Sequence, residues 1–182
     1  MTWRSCLAAI AFASGLSVAF PAVHAGDVTQ GLIRGGIGVA GIELGMTAAE
    51  VRAQLGEPQM VNKGAGGVPV YMSFHANDIF GVYFDEATGR VRMLIVAVKG
   101  GGLCTGYGAC LYREGDLEKV KKHYGKKLLR FTDRDGSVTY RRLVPMSPRN
   151  VMVEFMPAED TNAIVQVEML YWDGKITDSA LD

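Results

Sequence analysis

Gly41-Ile42-Glu43-Leu44-Gly45-Met46-Thr47-Ala48-Ala49-Glu50-Val51-Arg52-Ala53-Gln54-Leu55-Gly56-Glu57-Pro58 contains a complete helix, with its start, apolar stripe and stop written in residues. Thr47 stands where an N-cap belongs. Glu50, three residues on, completes a capping box in which two otherwise unpaired amide donors are satisfied reciprocally. Ala48, Val51 and Leu55 follow at spacings of three and four and therefore share one face. Gly56 can turn left-handed after the last turn, and Pro58 forbids continuation. The pattern predicts a short helix that docks by a single stripe.

Outward from this helix the chain reads as strands. Val68 to Phe74 and Ile79 to Phe84 alternate, the loop from Asp85 to Gly89 has hairpin chemistry, and Val91 to Val98 is apolar on both faces, as in a central strand. After residues 100–113 the pattern starts again. Asp116 is expected to cap a second helix with the stripe Leu117, Val120 and Tyr124 and the stop Gly125. A shift of 69 residues lays Thr47 on Asp116, Val51 on Val120 and Gly56 on Gly125. Strands are expected at Leu128 to Thr132, Val138 to Leu143, Asn150 to Met156 and Ala163 to Tyr171. The expected fold is α+β: two tandem helix-plus-β-meander repeats, 42–99 and 114–172, forming one antiparallel sheet backed by two helices.

Toward the N-terminus, Arg4, an apolar run from Leu7 to Phe20 and the small residues Ala22-Val23-His24-Ala25 read as an export signal over residues 1–25. The run is too short for a membrane span. Residues 26–41, glycine-rich and weakly apolar, read as a flexible arm or an edge segment, and residues 173–182 as a frayed tail. Gly36-Ile37-Gly38-Val39-Ala40-Gly41 matches the letters of a dinucleotide fingerprint without the strand and helix that fingerprint needs. Lys+Arg 19 against Asp+Glu 19 leaves the chain near neutral, which argues against nucleic acid or an anionic membrane as partner. The run from Lys119 to Arg130 is basic, and a solvated helix face explains it. Cys6 leaves with the signal and offers no lipid anchor. Cys104 and Cys110 remain, an even and close pair that reads as a disulfide in an oxidising compartment, within a connector over residues 100–113.

With helix, meander and duplication in place, Ile42-Glu43-Leu44-Gly45-Met46-Thr47, Glu50-Val51 and Leu55-Gly56-Glu57-Pro58 resemble the opening motif of the SmpA/OmlA family of outer-membrane assembly lipoproteins. The tandem arrangement looks like the β-lactamase-inhibitor-protein-like fold. The resemblance implies a helix pair behind a curved sheet whose open face, or whose loops, grip another protein.

Little else points to chemistry. His75 and His123 are scattered, Asp133-Arg134-Asp135-Gly136-Ser137 begins like a calcium loop but has Val144 where the bidentate Glu belongs, and no nucleophile-and-base motif occurs. No metal, no cofactor and no catalytic residue are expected. Strand alternation, by contrast, sends Tyr71, Tyr83, Arg92, Leu94, Arg141, Glu154, Gln166 and Glu168 to the sheet face away from the helices, a mixture favoured where proteins meet. Tyr107, between glycines in the cysteine loop, is a second candidate anchor. The sequence reading is an exported, non-enzymatic protein-binding module of the cell envelope, periplasmic or secreted, whose partner is another envelope or secreted protein. The alternative is an inhibitor or immunity protein acting on a periplasmic or secreted enzyme, and a thiol-disulfide oxidoreductase comes third.

Overall fold

Thr47 caps α1 (Ala48–Leu55): its hydroxyl accepts the Glu50 amide at 3.3 Å while the Glu50 carboxylate accepts the Thr47 amide at 2.7 Å. Gly56, at φ 83°, ends the helix by donating to the Arg52 carbonyl. Val51 and Leu55 are buried. The second helix, α2 (Asp116–Tyr124), stops in the same way at Gly125 but starts differently. Its N-cap is Gly115, left-handed at φ 74°, and Asp116 is the first helical residue, turned inward. The Asp116 carboxylate accepts the Cys110 amide at 2.6 Å and pairs with Lys119 at 2.6 Å, so its role is to tie the helix to the cysteine loop.

The computed structural model describes residues 30–74, 79–97, 99 and 102–172. The expected export signal, the start of the arm, the His75 loop and the tail lie outside the described residues. In chain order the strands are β1 (Gln30–Arg34), β2 (Gly38–Val39), β3 (Ile42–Glu43), β4 (Met60–Lys63), β5 (Pro69–Ser73), β6 (Ile79–Phe84), β7 (Val91–Ala97), β8 (Gly102–Thr105), β9 (Leu129–Thr132), β10 (Val138–Val144), β11 (Asn150–Pro157) and β12 (Ile164–Trp172). Eight form an antiparallel sheet in the order β4-β5-β6-β7-β12-β11-β10-β9. β7 and β12 meet at its centre, with three further strands outside each of them.

The expectation of one antiparallel sheet backed by two helices is overturned. The described residues are mostly β, with 48% strand against 17% helix, and they form two sheets. The second has the order β3-β2-β1-β8 and is built largely from residues read as a flexible arm. Ile33, Val39 and Ile42 are buried in the common core, and β1 pairs in parallel with β8, Leu32 opposite Cys104. Residues 30–34 form a strand because they find a partner some seventy residues away, a pairing that leaves no local pattern. Within the same sheet Gly38 lets β2 lie close against β3, since a side chain there would collide with the Ile42 carbonyl. Helices and second sheet bury Val51, Leu117, Val120, Ile33 and Leu103 against one face of the larger sheet in one contiguous core.

Candidate functional site

Cross-strand partners share a face. Val82, Leu94, Met169 and Val153 lie in register across four strands, fully buried toward the helices. The neighbouring rows point the other way: Tyr71, Tyr83, Met93, Leu170, Met152 and Leu143 in one, and Gly81, Ile95, Glu168, Glu154 and Arg141 in the next. Among the described residues, both helices and the second sheet insert their apolar side chains on the opposite side, so this face is open. Even so, Met152 and Phe131 are only 6% exposed there, and both stand outside the contiguous core.

Charge is set into that apolar surface. Glu154 is 5% exposed, and Arg141 forks onto it with Nε to Oε2 at 2.9 Å and Nη2 to Oε1 at 3.2 Å. The guanidinium also lies 4.5 Å from the Phe131 ring centroid, a cation–π contact that keeps it over the face. Glu168, opposite Glu154 in the next strand, is half-buried and accepts 2.7 Å from the Gln166 side-chain amide. Burial raises its pKa above the ordinary carboxylate value and the Glu154 charge adds to the rise, while the Gln166 amide and Arg141 hold it back. Arg141 therefore pairs with Glu154 and reaches Glu168 only as a nearby charge. Beside them Tyr71 and Tyr83 pack with ring centroids 4.7 Å apart, the Tyr71 ring lying over Gly81, where a Cβ would come within 3.0 Å of it. Burial also raises the Tyr83 phenol, with smaller contributions from Tyr71 and Glu168.

Five of the seven candidate partner-binding residues thus share the open face: Tyr71, Tyr83, Arg141, Glu154 and Glu168. Arg92 sits at its rim, on a bulge where Tyr83 pairs with Met93 but Phe84 pairs with Val91. There it lines, with Tyr71 and Tyr83, a groove of about 860 Å³. The bulge also corrects one assignment. Leu94, expected on the open face, points into the core, because the extra residue at Arg92 shifts the phase of β7. Met93 and Ile95 take the open positions, and a strand apolar on both faces gives no sequence signal for that choice.

Tyr107 is placed elsewhere. Its ring stacks on His123 at 3.9 Å between centroids and meets Tyr124 edge-on, and burial pushes its phenol pKa strongly up. Cys104 and Cys110 are bonded across a tight hairpin, their Cα atoms 4.0 Å apart, with the Thr105 amide donating to the Ala109 carbonyl at 2.7 Å. The staple and Asp116 together hold this loop against α2. Lys119 and Lys121 pair with Asp116 and Glu118, so part of the basic run is neutralised within its own helix. The Asp133 to Ser137 segment is a hairpin turn, closed by the Gly136 amide on the Asp133 carbonyl. Among the described residues no helix is long and apolar enough to cross a membrane, and no three His, Cys, Asp or Glu side chains cluster as metal ligands would.

No protein-family model matches the chain. No curated protein matches it either. Among solved structures, the crystal structure of a DUF4309 family protein, YjgB, from Bacillus subtilis subsp. subtilis str. 168 is similar at 15% sequence identity and a TM-score of 0.40, over 69% of this chain and 78% of that one. A likeness that distant assigns neither family nor activity, and the reading of the open face rests on the residues that build it.

Proposed function

We propose that the chain is an exported, non-enzymatic protein-binding module of the cell envelope, of the assembly or scaffolding type, that grips its partner with the open face of the larger sheet. The observation that supports this reading is the composition of that face: partly exposed Met93, Ile95 and Leu170, two tyrosines, and a charged row set among them. Apolar surface interrupted by aromatic and arginine side chains is the pattern of the buried centre of an interface. The residues of the leader pattern and the bonded Cys104–Cys110 pair support an oxidising, periplasmic setting. The motif resemblance to the outer-membrane assembly lipoproteins supports the same compartment.

Photo-crosslinking residues placed at Met93 and Leu170 in the producing cell test the face, with one at exposed Lys122 on α2 as the control. The expected result is a shared adduct from the two face positions that Lys122 does not give. Adducts from Lys122 alone, or the same adduct from all three positions, would overturn the assignment. If the captured partner is a hydrolase whose activity falls on binding, the module inhibits and does not scaffold.

A further inference from the structure

We propose that the open face recognises a lysine or arginine side chain of its protein partner, delivered between apolar neighbours and received by Glu168. This rests on the reading of the face as partner-binding and names what that face selects. Glu154 has already found its cation: both of its oxygens are taken by Arg141, whose guanidinium is in turn held over Phe131. Glu168 has only a neutral amide donor, from Gln166, and among the described residues no cation lies within ion-pair distance of it. An ionised carboxylate accepts up to about four hydrogen bonds. One that is half-buried beside a second carboxylate, with Ile95 paired directly to it and Leu170 two residues along the strand, is left short of both charge and donors.

A cation relieves that shortage, and the surroundings favour one on a carbon stem. Met93, Ile95 and Leu170 offer apolar surface to the stem, and the faces of Tyr71 and Tyr83 attract positive charge. An anionic group would meet two carboxylates against one committed guanidinium. A bare divalent ion would lack ligands, because no third acidic or imidazole group joins Glu154 and Glu168 among the described residues. The patch also spans six strands from Tyr71 to Leu143, about 24 Å at the usual strand spacing, which suits a protein surface better than a small amine.

Selection of a displayed random-peptide library against the full exported chain tests this, followed by methyl NMR on the wild-type protein with the enriched peptides. Peptides that shift the Met93 and Ile95 methyl signals are expected to carry a basic residue at one shared position. Replacing that residue by norleucine, or making Glu168→Gln in the protein, should each weaken binding about tenfold, and the two changes together should cost little more than either alone. Peptides that shift these methyls but lack a basic residue, or bind Glu168→Gln as tightly as wild type, overturn the cation and leave the binding face standing. If no peptide shifts those methyls, the face reading and the inference fall together. Retention of the wild-type melting temperature or better by Glu168→Gln keeps loss of fold from imitating loss of recognition.

Discussion

Glu168 holds a carboxylate where burial disfavours its charge, and the disfavour is a statement about stability. Its folded pKa lies above the ordinary value of 4.5, so between 4.5 and the raised value the folded state binds more protons than the unfolded state. Stability contributed by this group is therefore lost as pH rises through that window and stays lost above it. Glu168→Gln removes the ionisation, and the variant is expected to unfold at a higher urea concentration than wild type at pH 7, the two curves converging below about pH 4 where both side chains are neutral. An unchanged midpoint at pH 7 would show that the carboxylate is not strained in the fold. Together with the peptide experiment, the expected pattern is a variant more stable and less able to bind, as at sites where function is kept at some cost in stability. Glu168, Glu154 and Arg141 were legible as face residues because β10, β11 and β12 alternate cleanly through them. Arg92 and Leu94 were not, since a one-residue bulge reverses the phase of β7 without altering its composition.

Helix ends show how far a local signal reaches. The Thr47 hydroxyl and the Glu50 carboxylate each accept the other residue's amide, so the capping box is complete within four residues and the sequence pattern finds it. Asp116 has the composition of a cap, but the Cys110 amide and Lys119 claim its carboxylate, and Gly115 turns left-handed to take the cap position. The two acidic or hydroxyl starts should respond differently to truncation. Thr47→Ala is expected to cost about 1 kcal/mol, the usual value of an N-cap. Asp116→Ala is expected to cost about 3 kcal/mol, because it leaves the buried Cys110 amide without an acceptor as well as removing a charged hydrogen bond. Urea unfolding followed by circular dichroism measures both. Equal losses would mean that Asp116 does no more than cap.

At the scale of the whole molecule, the seam between β7 and β12 and the parallel pair of β1 and β8 decide how the layers assemble. Hydrogen exchange should follow that arrangement: amides of β7, β11 and β12 slowest, those of the edge strands β4 and β9 fastest within the larger sheet, and those of β1 as slow as β8. Loop-like exchange in β1 would dissolve the second sheet and restore residues 30–34 to a mobile arm. From sequence alone came what neighbours within a few residues can enforce: the ends of α1, the alternation of β10 to β12, and the closeness of Cys104 to Cys110. The tertiary structure alone decided that residues 30–34 of the glycine-rich segment become a strand beside β8, that β7 turns Met93 and Ile95 outward, and that Glu168 stands next to a carboxylate already paired with Arg141. These are outcomes of pairing between distant segments. Register across a sheet is fixed by packing after the chain has closed large loops, and no periodicity within one strand carries that information.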